Sequence, residues 1–594
     1  MTLAKHWKYG KDEDLTLTHL RGLAASNPTV SLIPLEKVLF SKNSDTKSKV
    51  TLISGGGGGH EPLHAGYVGD NLLDAAVSGS IFASPSTKQI MAALKTKSDK
   101  KKGTLIIVKN YTGDVLHFGL VVERAKSEGY KVELLSVTDD VAVGRKQNEM
   151  VGRRALAGTA LVHKITGGLA ATGADLEDVF KLGQAVNSNL VTLGASLDRT
   201  SVPGKAHEEI EFTGENEAEL GLGIHNEPGE KMSPIPNIDE LIKDMFHKLL
   251  SPEDKDRHYV NFDLEKDDYV LLVNNIGGTS SLEMYSITEH IMKNLPLSKK
   301  PKRVLVSDFV TSLNAPGFSI TLLNLSNIAN GDAGVSSDEV LKYIDAPTNA
   351  PGWKPKTFDS KAWDDSTEEI DSPMAHTDVV TSDIKMDPKL FESGLRSALK
   401  QLKETEPKIT HYDTLVGDGD CGETLVDGAN AILNALEKDE KFKSRLSDPV
   451  ATLSVITELV EDSMGGTSGG LYSIFLTAFV KHLQTIKELN SKAVGQALYD
   501  ALYDGLFKYT RARTGGRTLI DTLQPFVDSL REDGDVKKAV DKAKEGCEST
   551  KKLQAKFGRA SYVNEKEFKS EEGGIPDPGA LGLLSVIEGF VSGY

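Results

Sequence analysis

Past residue 345 the hydrophobic period of this chain changes, and the change confines it to two unlike folds in tandem. Between about residues 17 and 345, short apolar runs alternate with helical patterns. Val50–Ser54, Thr104–Lys109, Val132–Val137, Tyr269–Asn274 and Val304–Val306 read as strands. Most are β-branched or leucine-rich without strict alternation, the pattern of strands covered on both faces. Stretches such as Ser86–Lys95 and Gly119–Glu128 read as helices between them. Strand–helix alternation predicts α/β layering, here as two α/β units with a break near residues 190–250. Residues 346–386 scatter Pro347, Pro351, Pro355 and Pro373 among Asp, Ser, Thr and Lys, and read as a linker. From 387 to 594 no strand is evident. Phe391, Leu395, Ala398, Leu399 and Leu402 mark the first apolar face of an all-α bundle of about eight helices joined by short loops. The expected division is therefore 1–345, 346–386 and 387–594.

Charge narrows the function. A formal net charge of −17 disfavours nucleic acid and anionic membranes as partners. It leaves a nucleoside triphosphate open, because a local cation reverses the field at one site. Two cysteines, Cys421 and Cys547, make neither a disulfide framework nor a zinc site, which points to a reducing, cytoplasmic setting. The opening MTLAKHWKYGKDEDL has no apolar signal-peptide core, and no apolar run is long enough to predict a membrane span.

The helical half carries glycine motifs at its helix starts. Asp413-Thr-Leu-Val-Gly-Asp418-Gly-Asp420-Cys421-Gly422-Glu423-Thr424 packs carboxylates and glycines before a helix. Such carboxylates repel unless a cation lies between them, and magnesium takes oxygen ligands that it shares with phosphates. The competing reading is an acidic turn that caps a helix. An EF-hand is excluded, because its fifth and twelfth positions would be Gly422 and Ala429. Gly465-Gly-Thr467-Ser468-Gly-Gly470 offers hydroxyl and N–H contacts to phosphate, or simply close helix packing. Arg559 and Asp577-Pro578-Gly579 are ambiguous alone. No GxxxxGK[ST] loop occurs.

In the first half, Ser54-Gly55-Gly-Gly57-Gly-Gly59-His60 follows a predicted strand and lets a small ligand approach the backbone closely. His60 is a candidate proton-transfer group. Lys109-Asn-Tyr-Thr-Gly-Asp114 lies at another strand's end, where open α/β sheets bind ligands. Asp114 either pairs with His60 or caps the next helix. Ser84, after Phe82, supplies a hydroxyl. His225 sits in Gly221-Leu-Gly-Ile-His225-Asn-Glu-Pro-Gly229, and a lone loop histidine is more often unremarkable than catalytic.

Taken together, SGGGGGHEPLHAGYVG, FASPSTKQI, IVKNYTGDVLHFGL, GRRALAGT, GIHNEPGE, GDGDCGETL, DSMGGTSGGLYS, FGRASY and DPGALGL, in this order, resemble the single-chain ATP-dependent dihydroxyacetone (glycerone) kinases over nearly the whole length. The resemblance implies an α/β kinase domain and an eight-helix nucleotide-binding barrel. It implies that His225 adds to the substrate carbonyl as a hemiaminal, that His60 and Asp114 act as acid and base, and that Gly57, Ser84 and Lys109 contact substrate. It implies two magnesium ions on Asp413, Asp418 and Asp420. ATP contacts then fall on Cys421, Gly422, Glu423, Thr424, Thr467, Ser468, Leu519, Arg559, Asp577, Pro578 and Gly579, and the partner expected is a second copy in a domain-swapped homodimer. D-Glyceraldehyde is implied as a further substrate. Two alternatives accompany the resemblance: cleavage of FAD to cyclic FMN at the same metal site, and a non-catalytic carbonyl-binding regulator. Gly58 stands where the family usually has serine, so a hydroxyl is missing and greater flexibility is expected. Gly515-Gly516-Arg517-Thr518 falls in a variable stretch.

Overall fold

In the computed structural model the chain forms two compact units, Met1–Glu369 and Ile370–Tyr594. The structure describes residues 6–10, 13–146, 150–204, 213–356, 358, 360–364, 370, 379–556 and 574–594. No helix among the described residues is long and apolar enough to cross a membrane.

The first unit has two six-stranded sheets. One is built from β1 (Val30–Ile33), β2 (Val38–Ser41), β3 (Thr51–Gly58), β4 (Ala75–Ile81), β5 (Thr104–Lys109) and β6 (Val132–Val137), in the order β1-β2-β4-β3-β5-β6. The other is built from β7 (Leu190–Ser196), β8 (Ala218–Leu220), β9 (Glu230–Met232), β10 (Tyr269–Asn275), β11 (Arg303–Ser307) and β12 (Gly317–Asn324), in the order β11-β10-β12-β7-β8-β9. β4, β3, β5 and β6 run parallel, so their C-terminal ends share one edge.

β5 shows why these strands lack alternation. Ile106 and Val108 pack with Ile90, Leu94, Phe118 and Val121 of the helices Thr87–Lys97 and Thr112–Ser127. Leu105 and Ile107 pack on the opposite side with Leu161 and Ile165 of the helix Gly158–Ala171. Both faces are thus apolar because both are covered. The helix Gly158–Ala171 is buried almost all round, and its core also takes Val270 and Leu272 of β10. One core therefore joins the two sheets. The changeover between them lies between β6 and β7, ahead of the expected window at 190–250. β7, buried along its whole length, already belongs to the second sheet.

The glycine run is also not a loop. β3 continues through Gly58. A Cβ at Gly55 would lie 2.4 Å from the Val77 carbonyl oxygen and 2.9 Å from Phe118, so the neighbouring strand and helix occupy the space a side chain would need. Residues 346–353 pack on this unit: Lys164 Nζ donates to the Ala346 carbonyl (2.5 Å), Asp70 N donates to Asn349 Oδ1 (2.9 Å), and Trp353 tilts against Phe309.

The second unit is helical, with no strand among its described residues. Its first helix, Pro388–Val416, runs past the end read from sequence at Leu402 and through Pro407. After the polar stretch 403–408 the apolar face resumes seven residues on, with Ile409, Tyr412 and Val416 buried. Asp413 consequently lies in the last turn of a helix. Three helices begin with Asp-Pro, at Pro388, Pro449 and Pro578, and each time the aspartate side chain accepts backbone N–H groups of the first turn. Proline needs no N–H partner there and the aspartate satisfies the others.

Replacing Gly55 by alanine forces a Cβ against a strand carbonyl that cannot move alone. The expected loss of stability is about 1–3 kcal/mol, read from denaturant unfolding of the first unit's transition. An unchanged midpoint would mean the sheet relaxes freely at this point.

Candidate active site

The parallel edge of the first sheet gathers the predicted residues. His60 follows β3, Ser84 follows β4, Lys109 closes β5, and Asp114 lies in the first turn of Thr112–Ser127. His225 arrives from the second sheet, on the loop after β8. That loop is pinned by Arg154, whose Nη2 donates to the Gly221 carbonyl (2.8 Å), and by Glu219, which accepts from Gly229 N (3.0 Å). Asn226 turns the chain with φ at 65° and exchanges hydrogen bonds with the Thr200 backbone in both directions.

The two histidines meet through their ε nitrogens, 3.1 Å apart. Each δ nitrogen has a fixed acceptor. His60 Nδ1–H donates to the Thr311 carbonyl (2.9 Å), and His225 Nδ1–H donates to Glu227 Oε1 (3.0 Å). Two neutral rings held in this way turn two lone pairs toward each other. The contact is attractive only while one proton is shared between them, and otherwise each Nε2 is a free nucleophile or base. Burial, and then the nearby Lys109 and His225, push the His60 pKa well below its ordinary value. Burial works against ionisation of Glu227, yet the His225 hydrogen bond and charge hold its carboxyl at about 2.

An aromatic wall shapes this contact. Phe82 stacks on His60 at 5.2 Å, and Tyr111 meets His225 edge-on at 4.7 Å. Phe82 holds a left-handed φ of 57°, an uncommon conformation for a bulky residue. Gly57 makes room for it, since a Cβ there would lie 2.7 Å from Ala83 N. Lys109 is buried and its amine is lowered to about 8 by desolvation, against the pull of Asp114 and Glu227. Burial raises the Asp114 carboxyl, with Lys109 opposing.

The pair of Asp114 with His60 weighed from sequence is not made. Both His60 nitrogens are engaged elsewhere, and Asp114 Oδ1 instead accepts from Ser84 Oγ (2.5 Å). Nor does Asp114 cap its helix, since it lies inside the first turn. A Cβ at Gly58 would lie 2.8 Å from Thr16 Oγ1, and Gly58 itself sits within β3, so the loop-like freedom expected there has no place. Sequence reasoning missed Glu227, Phe82, Tyr111 and the Thr311 carbonyl. Glu227, Phe82 and Tyr111 lay inside the motifs around His225, Ser84 and Lys109 without being singled out, and Thr311 left no signal.

In the second unit, one oxygen each from Asp413, Asp418 and Asp420 lie within 4.8 Å of one another. Three hard oxygen donors at this spacing suit a divalent cation such as Mg2+. Asp413 Oδ2 also accepts from Cys421 N (3.0 Å), which ties the acidic turn to the start of the helix Cys421–Lys438. Cys421 is pushed up to about 12, first by burial and then by Asp413 and Asp577, while a Ser468 hydrogen bond opposes. Asp577, capping Pro578–Gly593, is raised to about 6 by desolvation, although its bond from Ala580 N opposes this. Ser468 thus hydrogen-bonds Cys421, Asp577 lies within electrostatic reach of it, and Leu519 touches the position of a Gly579 Cβ at 3.5 Å. Three helix N-termini converge there, a favourable setting for phosphate. Glu423 and Thr467 are exposed and Thr424 half-buried. Gly422 serves packing, since its Cβ would collide with Thr410 of the preceding helix. Pro578 is buried as the first residue of its helix. Arg559 lies outside the described residues.

An α/β unit with a histidine pair at its sheet edge and a helical unit with an aspartate trio make the two-part architecture of a phosphotransferase. A Dak1 domain model matches residues 21–352 and a DAK2 domain model matches residues 415–592. The dihydroxyacetone kinase of Komagataella pastoris is 50% identical, covering 100% of this chain and 98% of that protein. That of Pichia angusta is 49% identical, with the same coverage. The solved dihydroxyacetone kinase of C. freundii in complex with AMP-PNP and Mg2+ is similar at a TM-score of 0.67 and 29% identity, over 100% of both chains. The chain belongs to the single-chain dihydroxyacetone kinase family.

Asp420→Asn removes one of the three anionic oxygens and should weaken Mn2+ or Mg2+ binding roughly tenfold or more by titration calorimetry. Equal affinity would exclude this cluster as the cation site.

Proposed function

We propose that this protein is an ATP-dependent kinase that phosphorylates dihydroxyacetone. The observation that carries the proposal is the His60–His225 contact. A tied δ nitrogen on His225 leaves Nε2 as the attacking atom, and a planar ketone would take the place of the His60–His225 contact. His225 Nε2 forms a bond to C2 of the ketone as the C=O π bond breaks, the oxygen takes a proton from solvent to become a hydroxyl, and the positive charge left on the ring rests against the Glu227 carboxylate. Glycerol has no carbonyl to trap and is rejected on that ground. The terminal hydroxyl then gives its proton to Asp114 or His60, and its oxygen bonds to the γ-phosphorus as ADP leaves. Buried Lys109 offsets negative charge beside the acceptor. D-Glyceraldehyde, another short carbonyl, is a second acceptor in this scheme.

Asp413, Asp418 and Asp420 would hold the Mg2+, as a pair of ions, and the metal would neutralise charge on the transferring phosphoryl group. The complex of the C. freundii relative with AMP-PNP and Mg2+ supports this assignment. The ATP contacts proposed are Cys421–Thr424, Thr467, Ser468, Leu519, Arg559 and Asp577–Gly579. Acceptor and donor sites lie in different units, so transfer requires them to meet. We favour a homodimer in which one chain's helical unit serves the partner's acceptor site, in the cytoplasm.

His225→Ala should lower turnover of dihydroxyacetone by on the order of a thousandfold or more while Mg-ATP affinity is kept. Coupled detection of dihydroxyacetone phosphate reads the rate and calorimetry the affinity. Near-normal turnover by the variant would rule out covalent capture.

A further inference from the structure

Behind the acceptor site lies a second histidine cluster that the reaction above does not use. His64 is 3% exposed, and His163 and Ser54 are fully buried. Ser54 Oγ has one proton and donates it to the Ile107 carbonyl on β5 (2.5 Å). It must therefore accept from His64 Nδ1, 2.8 Å away. The same Nδ1 lies 3.3 Å from His163 Nε2. Only a proton on His64 Nδ1, with a lone pair on His163 Nε2, makes all three contacts attractive. That choice fixes the opposite side of the His64 ring as a bare lone pair.

His64 Nε2 is buried and has no hydrogen-bond partner among the described residues. It faces Gly56. The point where a Gly56 Cβ would stand is 3.2 Å from His64 Nε2 and 3.5 Å from Asp114 Oδ2. The missing side chain thus leaves a buried acceptor and the second oxygen of the candidate base bordering the same position, with no hydrogen bond between them, while Ser84 holds the other oxygen. Two acceptors opposed in a dry interior repel while Asp114 is ionised, and attract once a proton lies between them.

We propose that His64 is a positioning residue for Asp114. Its Nε2 accepts the hydrogen bond of the Asp114 carboxyl, directly or through one water, once that carboxylate has taken the acceptor's hydroxyl proton. One O–H bond breaks in the substrate and one forms at Asp114 Oδ2, and His64 neither gains nor loses a proton. The cluster makes Asp114 a stronger base by stabilising its protonated form. Other groups around Asp114 act in the opposite sense or are shared by wild type and variant: Lys109, His225, His117 of its own helix, and the Ser84 hydroxyl. Burial, and then His163, Lys109 and His60 around it, push the His64 pKa well below its ordinary value.

The inference rests on the kinase reading, and its test separates the two. His64→Asn keeps an amide N–H toward Ser54 and deletes the Nε2 acceptor. In the full-length protein, the acid limb of the kcat–pH profile with dihydroxyacetone and Mg-ATP should move to lower pH by about half a unit or more, and the plateau should fall roughly tenfold, with KM for ATP unchanged. Ser54→Ala, which frees the ring to take the other tautomer, should move the limb the same way. A limb that stays in place, whatever happens to the plateau, would make His64 structural only. A wild-type protein that does not turn over would instead overturn the kinase reading. Should neither variant fold, neutron diffraction from deuterium-exchanged wild-type crystals decides. Deuterium on His64 Nδ1 and none on Nε2 is expected, and deuterium on Nε2 would refute the proposal.

Discussion

The acceptor unit is organised around one constraint: each of two histidines has its δ nitrogen committed to an acceptor that cannot move away. The Thr311 carbonyl belongs to the backbone, and Glu227 also takes the His225 main-chain N–H (2.9 Å). The His60 ring cannot turn without stranding a buried donor, a loss of about 1–3 kcal/mol, and the half-buried His225 ring would lose its bond to Glu227. Both ε nitrogens must therefore point into the same gap. The glycine strand, the left-handed Phe82 and the pinned loop at 221–229 are the means by which two sheets bring those rings within 3.1 Å.

The electrostatics of the two units are opposite in kind. Around His60 the protein is dry, and desolvation is the largest influence on His60, Lys109 and Asp114 alike. It favours a neutral His60 ring and a softened Lys109 amine, suited to proton transfer near neutrality. The acidic turn at 413–420 is partly open, and its repulsion asks for an external cation. A cation held there would reverse the local field and let an acidic chain take a polyanion.

Much of the fold was legible. Uninterrupted apolar runs announced covered strands, and the loss of β-branched runs after 386 announced a helical unit. What escaped followed from contacts distant in sequence. β7 and β12 are interrupted by Thr192, Ser319 and Thr321, whose buried hydroxyls pair with one another or with Asn274, and the strand's continuation through its glycines escaped because the atoms that exclude side chains there belong to Val77 and Phe118. The polar stretch at 403–408 hid the continuation of Pro388–Val416. In the sites, His60, Ser84, Lys109, Asp114 and the aspartate trio stood out by chemistry and by their places at strand or helix ends. Glu227, Thr311 and His64 did not, because their roles depend on which nitrogen of a neighbouring ring they occupy.

The central claim is that His225 captures the acceptor covalently at Nε2. A crystal of the full-length protein soaked with dihydroxyacetone tests it most directly. Continuous density from His225 Nε2 to a tetrahedral C2, with Nδ1 still on Glu227, is the outcome this account predicts. A planar ketone resting at van der Waals distance from an unmodified His225 would contradict it.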